Sequence, residues 1–212
     1  MTSNLKDILM DIDRSTIRAT FLLFLAFGAS TAAFAQPSDK RCSVGANAGF
    51  ALLDDSFSVD EGQVELLFDP SDDGTIVGAN LSCYLAENWF VTGEYQYVDA
   101  TEIDFSNWLA SINYGWKVGQ SGIAYLGAVA GWSTLEWQDA PIETLEQEPE
   151  SEQAAFGVQA GYAHEFVDSW YVNVRYFYLA TNHKTSLKPS GGSAKYYHDS
   201  IQGLTLGIDW RF

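Results

Sequence analysis

Basic residues are scarce in this chain. Eleven Lys and Arg stand against 28 Asp and Glu, a formal net charge of −17. Nucleic acid is bound through basic surface, so this imbalance argues against a nucleic-acid partner and fits a secreted or surface-exposed chain. Long apolar runs are scarce as well. Only one stretch, at the very start, is apolar enough to cross a bilayer as a helix. The mean hydropathy is −0.09 although 47% of the residues are hydrophobic. Histidine occurs three times, as His164, His183 and His198, and neither a GxSxG elbow nor an HExxH pair is present. Those absences leave little of the usual hydrolytic machinery. Cysteine occurs twice, as Cys42 and Cys83.

What is there begins with a processing signal. Arg14 and Arg18 precede the apolar run Ala19–Phe27, and small residues lead to Ala33-Phe34-Ala35 ahead of Gln36-Pro37. A basic flank, a short apolar core and a small-x-small ending predict a secretory signal over residues 1–35, cleaved after Ala35. An uncleaved membrane anchor is the alternative. Asp7, Asp11 and Asp13 lie ahead of Arg14, which is odd for a signal and leaves Met10 or a later codon as alternative starts. The 1–35 segment holds three bases and three acids, so its removal leaves the net charge unchanged. Cys42 follows Asp39-Lys40-Arg41, which is no lipid-attachment motif.

Residues 36–212 form one domain of ordinary size. Eight runs in it alternate apolar and polar residues, at roughly 43–53, 75–85, 89–98, 107–117, 123–137, 153–166, 169–181 and 200–212. Period-2 alternation bounded by turn residues is the mark of a strand. About ten residues is the length a tilted strand needs to cross a bilayer. In the last run Leu204, Leu206, Ile208, Trp210 and Phe212 share one face, and Gly203, Thr205, Gly207, Asp209 and Arg211 share the other. Gly127 and Gly131 in the long fifth run predict a β-bulge.

Three connections are short, Ala86–Asn88, Val118–Gly122 and Val167–Asp168. Four are long, 54–74, 99–106, 138–152 and 182–199. Short turns at one end and long loops at the other are the signature of a bacterial outer-membrane barrel, with both termini on the short-turn, periplasmic side. The aromatic residues fall into two girdles. Trp89, Trp116, Trp170, Trp210 and Phe212 mark the periplasmic ends, and Tyr97, Trp108, Tyr178 and Trp137 the outer ends. A soluble lipocalin-like barrel or sandwich is the alternative. It gains nothing from charged residues on its inner face, because buried charge is costly unless paired.

These features give an all-β, eight-stranded antiparallel up-and-down transmembrane β-barrel. The chain resembles the small eight-stranded outer-membrane proteins of the OmpA transmembrane-domain and OmpX/Ail type, within the broader outer-membrane β-barrel family. The resemblance covers roughly residues 42–212. It rests on the signal, the eight strands, the loop asymmetry and the terminal Trp210-Arg211-Phe212. It implies a Gram-negative outer membrane, contact with lipid and lipopolysaccharide, and recognition by the barrel assembly machinery through Trp210 and Phe212. The sequence leaves no room after Phe212 for a peptidoglycan-binding domain of the OmpA type, so none is expected. Function is not specified by the resemblance, since that family holds adhesins, evasion factors and structural anchors.

Several residue groups are candidate sites. Cys42 and Cys83 lie at the feet of adjacent strands with outward parity, so a disulfide is expected in an oxidising periplasm, with two free thiols as the alternative. Glu94, Arg175, Asp209 and Arg211 have inward parity and are expected to pair in a polar network that plugs the lumen. The loops 54–74, 99–106 and 138–152 hold eight, three and six acids and no Lys or Arg, whereas 182–199 carries Lys184, Lys188 and Lys195. A solvated, repulsive surface accounts for them. Divalent cations bridging to lipopolysaccharide phosphates are the sharper alternative. Asp69, Ser71 and Asp73, ahead of Gly74, resemble the start of a calcium loop, but Asn80 replaces the acid at position 12 and a simple turn fits better. Asn182-His183-Lys184-Thr185-Ser186 resembles a lipid A deacylase motif, but lacks its His-x-Ser-Asn pattern. His183 reads as a solvent-exposed loop-base residue. The expectation is a non-enzymatic structural or surface-interaction barrel without a cofactor. A small-solute pore is the first alternative and a lipid A-modifying enzyme the second.

Overall fold

The computed structural model describes residues 41–61, 73–101, 103–138, 150–187 and 193–212. The expected signal segment, Asp69, Ser71 and most of the acidic 54–74 and 138–152 connections lie outside those residues. Eight strands follow in chain order: β1 (Cys42–Glu61), β2 (Asp73–Tyr84), β3 (Trp89–Ala100), β4 (Ile103–Val118), β5 (Gly122–Trp137), β6 (Glu150–Val167), β7 (Trp170–Leu187) and β8 (Ser193–Arg211). Each pairs antiparallel with its chain neighbours, and β1 pairs with β8 to close the barrel. Closure removes the free edges that an open sheet presents. The β1–β8 closure is locked at the end where β1 begins and β8 finishes, where Cys42 and Phe212 exchange backbone hydrogen bonds of 3.1 and 2.8 Å.

Alternation assigns the two faces of the wall. Phe50, Leu126, Phe156 and Leu206 are each more than half exposed on the outside. A continuous apolar belt of this kind is unstable against water and requires lipid. Trp89, Trp116, Trp170, Trp210 and Phe212 ring the terminal end. Trp108, Trp132 and Tyr178 ring the other side of the belt, with Trp108 and Trp132 opposite one another in the β4–β5 ladder. Trp132 takes the outer-girdle place expected of Trp137. Trp137 has inward parity instead, packs against the interior core, and donates from Nε1 to Thr185 Oγ1 at 3.5 Å.

Three further expectations are corrected. The 99–106 connection is not a long loop, because β3 runs to Ala100 and β4 starts at Ile103. Much of the 182–199 connection is likewise strand, in β7 and β8. The β5 bulge does not form, and β5 pairs with β4 and β6 without a register shift. Register shifts fall instead between Asp54 and Asp55, Val59 and Glu61, Glu165 and Val167, and Ala180 and His183. Glycines on the inner face make room for large neighbours. A Cβ on Gly203 would lie 2.3 Å from the Phe177 ring, and one on Gly161 2.4 Å from the Tyr125 ring.

Candidate functional site

The lumen is filled in layers. At the terminal end Arg211 of β8 lies between two tyrosine rings, its guanidinium 4.1 Å from the Tyr171 centroid and 5.0 Å from that of Tyr84. It donates to both hydroxyls, at 3.0 Å and 3.3 Å. A cation on two ring faces is held by their quadrupoles as well as by hydrogen bonds. Next to it Asp209 accepts from Asn173 and, at 3.1 Å, from Asn80. Between these groups and Arg175 is a cavity of about 60 Å³ lined by Asn47, Asn80, Tyr125, Asn173 and Asp209 among others. That is room for roughly four waters.

The middle layer is an ion pair. Arg175 of β7 donates through both terminal nitrogens to the Glu94 carboxylate of β3. The Asn47 and Gln96 amides add donors to Glu94 Oε1 at 3.0 and 3.1 Å. Both charged side chains are about 5% exposed. The four expected network residues thus all face the lumen, in three groups: Glu94 with Arg175, Asp209 with two asparagines, and Arg211 with two tyrosines. Gln159 extends the polar layer to Ser111 and Asn113, at 3.1 and 2.7 Å.

The distal half of the lumen holds an apolar cluster among buried polar side chains, which alternation alone did not announce. Ala51, Ile76, Val98, Phe105, Leu135, Leu179 and Ile201 form one buried cluster. Those strand positions have inward parity, like the charged residues nearer the termini. The interior charges expected from the sequence, Glu94, Arg175, Asp209 and Arg211, therefore lie in the terminal half, and apolar side chains share the distal half with His183, His198 and several hydroxyls.

Two histidines sit in the apolar layer. His183 is buried, not solvent-exposed as expected. Its Nδ1 is 3.1 Å from Ser151 Oγ and its Nε2 2.9 Å from Ser133 Oγ. Burial and the adjacent His198 push its pKa down to about 4. It lies beyond the outer girdle marked by Tyr178. His198 bonds to Asp55 of β1 through Nδ1. The acid and the serines thus serve different imidazoles, and among the described residues no single Ser-His-Asp relay is assembled around them. Two histidines with serine and aspartate partners were not foreseen as a unit, because β1, β5, β6, β7 and β8 supply them from distant parts of the chain.

The remaining candidates are placed as follows. Cys42 and Cys83 stand opposite each other in the β1–β2 ladder and form the expected disulfide. Asp73 opens β2 opposite Leu52. Asp104 is buried although its parity is outward, accepting from the Tyr97 hydroxyl at 2.5 Å and from Gln138. Lys184 lies over the Tyr197 ring at 5.5 Å. Trp210 packs on Phe212 with centroids 5.2 Å apart. Among the described residues no three His, Cys, Asp or Glu side chains converge as a metal site.

Comparison with known proteins agrees with this architecture. The family model for the outer membrane protein β-barrel domain matches residues 19–212. Neisserial surface protein A superposes with a TM-score of 0.56 at 14% identity, covering 81% of this chain and 97% of that one. Outer membrane protein AlkL in DMPC lipid bilayers superposes with a TM-score of 0.50 at 13% identity, covering 85% and 94%. At such identities the likeness is one of fold alone. No curated protein matches the sequence. With its closed eight-stranded ladder, girdled apolar wall and family match over the barrel, the chain belongs to the outer membrane protein β-barrel domain family of Gram-negative outer membranes.

Proposed function

We propose that this protein is a non-enzymatic surface barrel. Its termini face the periplasm, and it acts through the acid-rich strand ends and connections at its distal rim. The observation that carries this reading is the double closure of the lumen, by the Glu94–Arg175 pair and then by the apolar layer around Phe105 and Leu135. An interior filled with its own side chains favours an anchor over a conduit. The inward, buried His183 supports the same reading against lipid A chemistry, since the lipid lies on the opposite face of the wall.

The rim's excess of carboxylates suits divalent cations shared with lipopolysaccharide phosphates. Trp210 and Phe212 are the groups offered to the barrel assembly machinery. The test pairs two measurements on purified protein in lipid. Planar-bilayer recordings are expected to show no conductance above the lipid baseline. Binding of purified lipopolysaccharide is expected to require Ca²⁺ or Mg²⁺ and to drop when 62–72 or 139–149 is replaced by a neutral linker, with heat-modifiable mobility retained. Stable conductance would instead support a small-solute pore. Cation-independent binding unaffected by both replacements would refute the rim as the contact surface.

A further inference from the structure

Beyond Phe156 and Ala180 the barrel wall changes character. The β6–β7 ladder stops at that rung, although β6 continues to Glu150 paired with β5, and β7 continues to Leu187 paired with β8. Residues 151–155 and 181–185 share no backbone pairing across this seam. The interruption has a local cause. One extra residue is accommodated in β7 between Ala180 and His183, and Asn182 takes a left-handed conformation with φ 54°. A bulge bends its strand and increases its twist, which here ends the pairing on one side.

Side chains close the seam instead. His183 reaches from β7 to Ser151 on β6 and past it to Ser133 on β5. Trp137 of β5 bonds to Thr185 of β7 and meets the Tyr196 ring edge-on, with centroids 5.0 Å apart. The groups that face the His183 ring can be named strand by strand. From β4 comes Phe105, with centroids 5.9 Å apart, and from β8 His198, at 6.3 Å, with Tyr196 nearby. Strands β5 and β6 present the two serines. From β1, Asp55 is engaged by His198. Asp104, Glu136, Glu152 and Lys184 have the outward parity of their strands.

We propose that this seam is a proton-operated latch, held shut by neutral His183 and released when that ring takes up a proton. Protonation places an imidazolium in the apolar layer that contains Phe105, Leu135 and Leu179, beside a second imidazole. A buried charge without a counter-ion is unfavourable, and among the described residues Asp55, the carboxylate that β1 brings to this layer, already bonds His198. Movement of β7 away from β6 brings the imidazolium to water. Among the described residues, that displacement breaks no β6–β7 backbone pairing beyond Phe156 and Ala180. The lowered proton affinity of His183 keeps the latch shut at neutral pH and sets it to act in acid. Its consequence is a lateral opening at the distal end, while the Glu94–Arg175 layer below stays closed.

The test uses the full barrel in lipid nanodiscs, with the native cysteines tied in their disulfide. Spin labels at Ala154→Cys and Lys184→Cys sit on opposite sides of the seam, and pulsed EPR reads the distance between them. The distribution is expected to lengthen between about pH 7.5 and about pH 3.5, values that bracket the ordinary and the lowered histidine range. With His183→Gln, which keeps hydrogen-bonding groups but does not titrate, no lengthening is expected. With Ser133→Ala and Ser151→Ala together the distance is expected to be long already at neutral pH. An unchanged parent distance overturns the latch. So does equal lengthening in His183→Gln, or a seam still closed at neutral pH without the two serines.

Discussion

Arg175 and Glu94 meet across the full width of the lumen, from strands β7 and β3 that lie opposite each other in the ring of eight. No ladder connects those strands, so the pair is a strut between opposite walls. It is two-pronged, with Nη2 2.5 Å from Oε1 and Nη1 bonded to Oε2. Removing one partner strands the other charge in a buried layer.

Glu94→Ala is therefore expected to destabilise the barrel by about 3–5 kcal/mol, the usual cost of breaking a buried ion pair from one side. Glu94→Ala with Arg175→Met is expected to cost less than the sum of the two single changes. Urea unfolding in lipid vesicles measures both. Additive losses would mean that the pair is not coupled.

The Cys42–Cys83 disulfide spans a sequence separation of 41 residues. Alkylation is expected to label no cysteine in the native protein and two after reduction. Reduction should lower stability by roughly 2–4 kcal/mol. The barrel itself should persist, because the β1–β2 ladder continues for ten further rungs beyond the bond.

On the lipid face, position along the strand should set the cost of a charge. Leu206 pairs with Val174, midway between the Trp170–Trp210 rung and the Tyr178–Gln202 rung. Leu206→Arg is expected to cost about 2–4 kcal/mol, whereas Gln202→Arg, near the girdle, should cost about 1 kcal/mol or less. Equal costs at the two sites would contradict the placement of the apolar belt.

The buried His183 makes stability depend on pH. Its pKa is 6.5 when exposed and about 4 in the fold. Between those values the unfolded chain binds more protons than the folded one, so stability falls as pH drops through that window and levels off below it. The loss attributable to His183 is up to about 3 kcal/mol. Unfolding curves at a series of pH values, compared with His183→Gln, isolate it. A His183→Gln profile that matches the parent would assign the pH dependence to other groups.

Much of this molecule was legible along the chain. Alternation in runs such as Gly203–Phe212 separates the lipid face from the lumen, because side chains of a strand point alternately to its two sides. The same parity set Glu94, Arg175, Asp209 and Arg211 inward and Cys42 and Cys83 outward. It also misled at strand ends. The 99–106 stretch lost its loop character because Asp99 pairs with Asp104, and a pairing partner supplies the order that local polarity seemed to deny. His183 reads as exposed when it is placed at the base of a 182–199 loop, whereas β7 runs on to Leu187 and sets it against Phe105 and two serines.

The sequence by itself determined the strands, the two faces they present and the membrane they require. These depend on residue spacing of two, a property of each strand alone. Only the tertiary structure decided which inward residues meet, where the apolar cluster sits in the lumen, and where the β6–β7 ladder ends. Those depend on the register between neighbouring strands and on closure of the ring. Closure brings β3 to face β7 and turns a bulge at Ala180–His183 into a seam closed by side chains.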